Sequence, residues 1–308
     1  MTDNESGRTL RVRVPATSAN LGPGFDTMGI ALSLGNDLWV TETTSSGVTI
    51  SVEGVGSGDV PTDDTNLIVK AIQHVYEKVG KKMPGLMLRA VNRIPHGRGM
   101  GSSGSAIVAG VMAAKGLLEG EVDLSEDELL GFATDLEGHP DNVAPALFGG
   151  LTIAWTTPNG PRSKRLSVHR GVSPLVIVPE FTMSTELARS LQPAHVPTED
   201  AIFNLSRSAL LVAALTQSPE LLEQATEDRL HQDYRAEAMP TTRNLISALR
   251  ENGHAAVVSG AGPAVLVLAN GPKERLEAAA IAESYEPNWE RMLLAVDILG
   301  ATVEEVSL

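Results

Sequence analysis

The chain has 308 residues, 42% apolar and 20% charged, a composition that suits one large or two closely joined globular domains. Its 24 Lys and Arg against 38 Asp and Glu leave a net charge of −14, so a polyanion would be repelled and no nucleic-acid partner is expected. With no cysteine, the chain can build no disulfide framework, thiolate zinc site or cysteine nucleophile. The start, 1–9, is polar and lacks the apolar core of a signal peptide. The most apolar run, 255–269, is broken by Ser259, two glycines and Pro263, so no membrane association is expected and a cytoplasmic protein is.

Leu10, Val12 and Val14 alternate with Arg11 and Arg13, which predicts a strand ending at Pro15, followed by turns over 16–29. Strand-like runs at 37–43 and 48–52 flank Ser45-Ser46-Gly47 and read as a hairpin. Asp63-Asp64-Thr65 offers an N-cap to a helix whose apolar positions run from Leu67 to Val79 and which Gly80 closes. A strand over 86–94 leads into a glycine loop and then an apolar helix over 105–118. Ser125 and Glu128 have capping-box spacing for a helix to about Glu137. A short helical stretch ends at Phe148, and a strand at 151–155 and a loop at 156–164 follow. Beyond them come a strand at 174–178 and helices at 186–191, 200–216, 219–234 and 241–250, the last capped by Gly253. Two apolar strands, 255–258 and 265–269, face each other across Ser259-Gly260-Ala261-Gly262-Pro263, and a helix over 273–284 and a strand near 292–297 finish the chain. Strands and helices mix without strict alternation, which predicts an α+β fold.

Four segments carry candidate chemistry. Pro95-His96-Gly97-Arg98-Gly99-Met100-Gly101-Ser102-Ser103-Gly104-Ser105 sits between a strand and a helix, where glycines let backbone N–H groups approach an anion and the helix N-terminus adds partial positive charge. It reads as a phosphate cradle or, more plainly, as a tight turn with Ser102 or Ser103 as N-cap. Gly99, Gly101 and Gly104 also fit the dinucleotide fingerprint, but the alternating strand before them and the absence of repeated strand–helix units speak against it. No lysine lies between Lys82 and Lys115, so a bound nucleotide would rely on serine hydroxyls, Arg98 and a metal.

The second segment is the 15–26 loop, with Asn20 and Asp26; such loops present ligands or bond to their own backbone. The third, Glu137-Gly138-His139-Pro140-Asp141-Asn142, places acids that could hold Mg²⁺ through oxygen, whereas His139 and Asp141 alone are too few for a transition-metal site. The 259–263 turn is a hairpin connection or a place where backbone closes on a substrate. Arg189 and Arg235, judged singly, read as surface ion pairs.

Taken in this order, the 15–26 loop, Asp64-Thr65-Asn66-Leu67, the glycine loop, the segment from Glu137 through Pro145 and the 259–263 turn resemble the GHMP kinase family. Ser18-Ala19-Asn20-Leu21-Gly22 through Asp26, and His139 through Pro145, point to its homoserine branch. The resemblance implies a two-lobed α+β fold with a ribosomal-protein-S5-like N-terminal lobe, 8–160, and a ferredoxin-like C-terminal lobe, 161–308, with the active site between them. It implies an enzyme of threonine biosynthesis that phosphorylates the hydroxyl of L-homoserine with ATP and Mg²⁺, and it favours a homodimer. ATP phosphates would lie on the 95–105 loop and Mg²⁺ on Ser103 and Glu137. Asn20, Asp26, Asn142, Arg189 and Arg235 would bind L-homoserine, an arginine fork suiting its carboxylate and Asp26 its ammonium. Asn142, Asp141 and Arg235 are the candidate catalytic groups. Asn142 cannot take a proton, so either the hydroxyl attacks directly or Asp141 serves as base.

Overall fold

The computed structural model describes residues 7–306; the segment 1–6, part of the stretch read above as lacking a leader, lies outside them. The first half of the chain runs β1 (Thr9–Ala19), β2 (Met28–Thr43), β3 (Val48–Gly54), α1 (Leu67–Lys78), β4 (Gly85–Asn92), α2 (Ser102–Leu117), α3 (Glu126–Glu137), α4 (Pro140–Phe148), β5 (Leu151–Thr157) and β6 (Gly160–Leu166). The second runs β7 (Val172–Val178), α5 (Thr185–Ser190), α6 (Thr198–Thr216), α7 (Leu222–Ala225), α8 (Gln232–Arg235), α9 (Pro240–Glu251), β8 (Ala256–Val258), β9 (Val265–Asn270), α10 (Pro272–Tyr285), β10 (Glu290–Leu293) and β11 (Thr302–Glu305).

Two sheets result. The first has the order β11-β1-β2-β4-β3, with β5 pairing the start of β2 and β6 pairing β5; the second is antiparallel, β10-β7-β9-β8. The chain thus leaves the first sheet after Leu166 and returns to it at Thr302. The α+β architecture is as expected, and among the described residues no helix is long and apolar enough to cross a membrane.

Several local expectations fail for identifiable reasons. Ser45-Ser46-Gly47 does not fold β2 onto β3, because β4 lies between them, antiparallel to β2 and parallel to β3. Leu86, Leu88 and Ala90 of β4 are buried beside Leu38 and Val40, whereas β3 buries Ile50 alone and takes the edge. The strand expected to stop at Pro15 continues to Ala19, since a register shift between Pro15 and Ala16 accommodates the missing N–H. The expected loop at 156–164 contains most of β6, whose Arg162, Lys164 and Arg165 hide its strand pattern; Pro158-Asn159 is the turn of a β5–β6 hairpin.

The helix expected over 219–234 is interrupted after α7. Asp228 accepts from the backbone N–H of Leu230, His231 and Gln232 at 3.0, 3.1 and 2.9 Å, a local bonding pattern that competes with the helix. At α1 the cap is Asn66, which accepts from Ile68 N–H at 2.9 Å, and Asp63 instead takes the N–H of Thr65. The final strand expected at 292–297 is β10, ending at Leu293, and β11 was not anticipated at all. β11 has one apolar residue, Val303, and joins β1 beside the ion pairs Arg8–Glu305 (2.8 Å) and Arg11–Glu304 (3.3 Å).

The core explains how the site is held. One apolar cluster packs the first sheet on α1–α4, and another places α9 and α10 on the second sheet. A third joins Ala16, Leu21 and Ile30 of the first lobe to Val176, Leu211 and Leu266 of the second. The two lobes share buried apolar surface, so the loops that meet at their junction rest on a common base.

Candidate active site

The glycine loop is fastened at both ends. Asn36 accepts the N–H groups of Arg93 and Ile94 at 2.7 and 3.1 Å, and the loop then runs through Gly97, Gly99 and Gly101 at positive φ into α2. A Cβ on Gly99 would overlap the carbonyl oxygen of Ser259, and one on Gly101 the hydroxyl of Thr17. Only glycine permits approaches this close. The 259–263 turn is stitched to the same loop: Ser259 Oγ donates to the Gly99 carbonyl at 2.7 Å, and Ala264 N–H to that of Arg98 at 3.3 Å.

A cavity of about 180 Å³ opens where these loops meet, and it collects Asn20, Asp26, Glu137, Asp141, Asn142, Arg189 and Arg235 around Pro95 and the stretch 97–103. His96 and Ser105 fall instead on a second, more apolar cavity of about 300 Å³, walled by Leu38, Val52, Leu67 and Ala90. The two cavities share Gly97, Ser102 and Ser103, so they lie on either side of the loop. Gly104 lines neither; it packs on Asn142, with room for a Cβ at 3.5 Å from that residue's own.

The guanidinium of Arg98 is turned to main-chain carbonyls, those of Pro179 (2.8 Å), His96 (3.0 Å) and Glu180 (2.6 Å). It ties the loop to the end of β7, leaving backbone amides and serine hydroxyls to face the cavity.

On the side of the 15–26 loop, Asn20 is spoken for: its Nδ2 donates to the Gly260 carbonyl at 2.8 Å and its Oδ1 accepts from Asp26 N–H at 2.9 Å. Asp26 and Arg189 form a two-pronged ion pair at 3.0 and 3.2 Å. Arg235 is 2% exposed, its Nε has no partner, and its guanidinium carbon lies 5.1 Å from the centre of the Phe25 ring. Burial pushes its pKa down, though an arginine stays charged. Thr17 Oγ1 donates to Asn142 Oδ1 at 3.2 Å, so the amide presents its N–H donors as the free end.

On the opposite wall Ser103 Oγ donates to Glu137 Oε2 at 3.1 Å, and burial raises the pKa of that carboxyl. His139 Nδ1 lies 2.5 Å from Asp141 Oδ1, and this hydrogen bond raises the imidazole pKa. His139 and Thr17 were assigned no role from sequence. Both stand inside the motifs already singled out, and only their bonds to Asp141 and Asn142 distinguish them from neighbouring residues.

The arrangement sets a glycine-rich turn at the start of α2 beside carboxylates and guanidinium groups. Comparison with known proteins shows the family. Family models described as GHMP kinases N terminal domain and GHMP kinases C terminal match residues 66–150 and 210–288. The homoserine kinase of Leifsonia xyli subsp. xyli is 65% identical over 303 residues, 98% of this chain and 94% of that protein. That of Streptomyces coelicolor is 47% identical over 296 residues, 96% and 94% of the two chains. Among solved structures, a putative homoserine kinase from Listeria monocytogenes superposes with a TM-score of 0.78 at 29% identity, covering 97% of this chain and 100% of that one. The homoserine kinase of Cytophaga hutchinsonii gives a TM-score of 0.86 over 99% of both chains, and its 24% identity speaks for the fold.

Proposed function

This chain belongs to the GHMP kinases, among their homoserine kinases, and from that membership we propose that it phosphorylates the side-chain hydroxyl of L-homoserine with ATP. The products are ADP and O-phospho-L-homoserine, an intermediate of threonine biosynthesis. The observation that carries this reading is the pair of cavities sharing one glycine loop, with Asp26, Asn142, Arg189 and Arg235 gathered in the smaller one.

The larger, apolar cavity suits the nucleoside, and the amides of 97–103 at the start of α2 suit its phosphates. In the smaller cavity Arg189 and Arg235 would take the acceptor's carboxylate and Asp26 its ammonium, the substrate replacing the internal Asp26–Arg189 pair with charges of its own. The N–H donors of Asn142 would meet the acceptor hydroxyl or a transferring phosphoryl oxygen. Ser103 and Glu137, a hydroxyl and a half-buried carboxylate 3.1 Å apart, fit an oxygen-seeking cation, and we assign them to Mg²⁺, which would neutralise charge on the ATP phosphates.

Transfer forms a bond between the homoserine oxygen and the γ-phosphorus as the bond to the ADP oxygen breaks. In a loose transition state the hydroxyl proton leaves late, so positioning and electrostatic stabilisation supply most of the catalysis. Asp141 is 2% exposed and held by His139, which favours a supporting role for it over that of base. The cytoplasmic setting and the homodimer belong to the same proposal, and sedimentation equilibrium checks the second.

A coupled ADP-release assay with L-homoserine, L-serine, L-threonine and mevalonate tests the reading. Homoserine should be the preferred acceptor by a wide margin; no homoserine-dependent ADP would overturn it.

A further inference from the structure

The loop that bears Asn20 and Asp26 is held in a costly shape. Asn20, Leu21 and Asp26 have φ of 71°, 51° and 54°, in the left-handed region, which Asn and Asp tolerate but a bulky residue such as Leu21 avoids. Such backbone persists where its surroundings over-determine it, and here those surroundings belong to the second lobe. His231, fully buried at the start of α8, has Nε2 at 2.8 Å from the Gly22 carbonyl, which can only accept, so the ring nitrogen is the donor. Its ring stacks on Phe25 with centroids 4.8 Å apart and planes at 15°. The next carbonyl, of Pro23, accepts from Ser208 Oγ at 2.5 Å and from Asn204 Nδ2 at 3.4 Å. A Cβ on Gly22 would overlap the carbonyl of Thr226.

None of His231, Ser208 and Asn204 lines the cavity. What they hold does: His231 and Arg235 are four residues apart at α8, and both touch the Phe25 ring next to Asp26. Burial lowers the His231 pKa, consistent with a neutral ring whose second nitrogen has no partner.

We propose that His231 is a positioning residue for the amino-acid acceptor: through the Gly22 carbonyl and the Phe25 ring it sets the Asp26 carboxylate and the Arg235 guanidinium at the separation that the acceptor's ammonium and carboxylate require. The proposal rests on the homoserine reading. It concerns the acceptor alone, since the loop it fastens is not the glycine loop of the nucleotide.

Steady-state kinetics on the full chain test it. His231→Leu should raise KM for L-homoserine about tenfold and leave KM for ATP within about twofold, as expected for one lost buried hydrogen bond plus a loosened loop. His231→Gln, whose amide N–H can reach the same carbonyl, should recover to within about threefold of wild type. Ser208→Ala, at a half-buried site, should move KM for homoserine the same way by about threefold, and it decides the matter if His231→Leu does not fold. Folded variants with an unmoved homoserine KM, or with both KM values rising together, would overturn the proposal. A wild-type chain without homoserine-dependent ADP release would instead remove the functional reading, and this proposal with it.

Discussion

Thr17→Val probes how the Asn142 amide is aimed. The substitution keeps a branched side chain at a fully buried position and deletes the one hydroxyl that fixes Asn142 Oδ1. At 3.2 Å the bond is on the long side for a hydroxyl donor, so its net worth lies toward the lower half of the usual range, about 0.5–1 kcal/mol. Expressed in the transition state, that is a fall in kcat of about twofold to fivefold. Asn142→Ala removes the donors themselves and should cost about a hundredfold, the loss seen when one preorganised donor is deleted. The double variant is the decisive measurement. If Thr17 acts only by orienting Asn142, adding Thr17→Val to Asn142→Ala should change kcat by less than about twofold, a strongly non-additive cycle. kcat is read from ADP release at saturating ATP and homoserine, with thermal denaturation as a control for folding. Additive losses would refute the argument, since the Thr17 hydroxyl would then matter through some other contact, such as its close approach to Gly101 in the glycine loop.

Asp141→Asn should retain kcat to within about tenfold, because Asp141 is held by His139 and is not the base; a loss of about a thousandfold would make it the base. In the same variant the His139 titration, followed by NMR, should move down, since the hydrogen bond to Asp141 is the main cause of its raised pKa. Asp37 lies in the first sheet with Arg11 at 2.9 Å and Arg93 at 2.6 Å. Burial alone would raise its pKa, but the hydrogen bonds from Arg93 and Arg11 outweigh it and the carboxyl sits below its ordinary value. A depressed folded pKa contributes stability above the unfolded value, about 4, and that contribution is lost as pH falls through the folded one. Urea unfolding should therefore show Asp37→Asn clearly less stable than wild type at pH 7, with the gap narrowing as pH drops below 4. A gap of constant size would refute the linkage.

Much of the site was legible because its signals are local. A glycine run between a strand and an apolar helix reads as an anion-binding bend whatever surrounds it, and Gly97, Gly99 and Gly101 do take left-handed backbone there. The capping box of Ser125 and Glu128 forms as its spacing predicts, with the Ser125 side chain accepting from Glu128 N–H. The directions of individual side chains were not legible. Arg98 was expected to serve phosphate, and its guanidinium goes instead to three carbonyls, two of them more than 80 positions away in sequence. Arg235, read alone as a surface ion pair, is buried against Phe25, a contact that exists only once α8 has docked on the 20–26 loop.

Periodicity and capping in the sequence determined most of the helices and the α+β class, and the motif residues marked the segments that gather at the candidate site. Tertiary structure alone decided that β4 would separate β2 from β3, that β11 would return to β1, and that His231 would grip the Gly22 carbonyl 209 positions away. The division has a physical cause. Caps and amphipathic stripes act within a few residues and leave a trace in spacing, whereas strand neighbours and buried polar bonds are chosen by which apolar faces must be covered together, a choice made between segments that the chain keeps far apart.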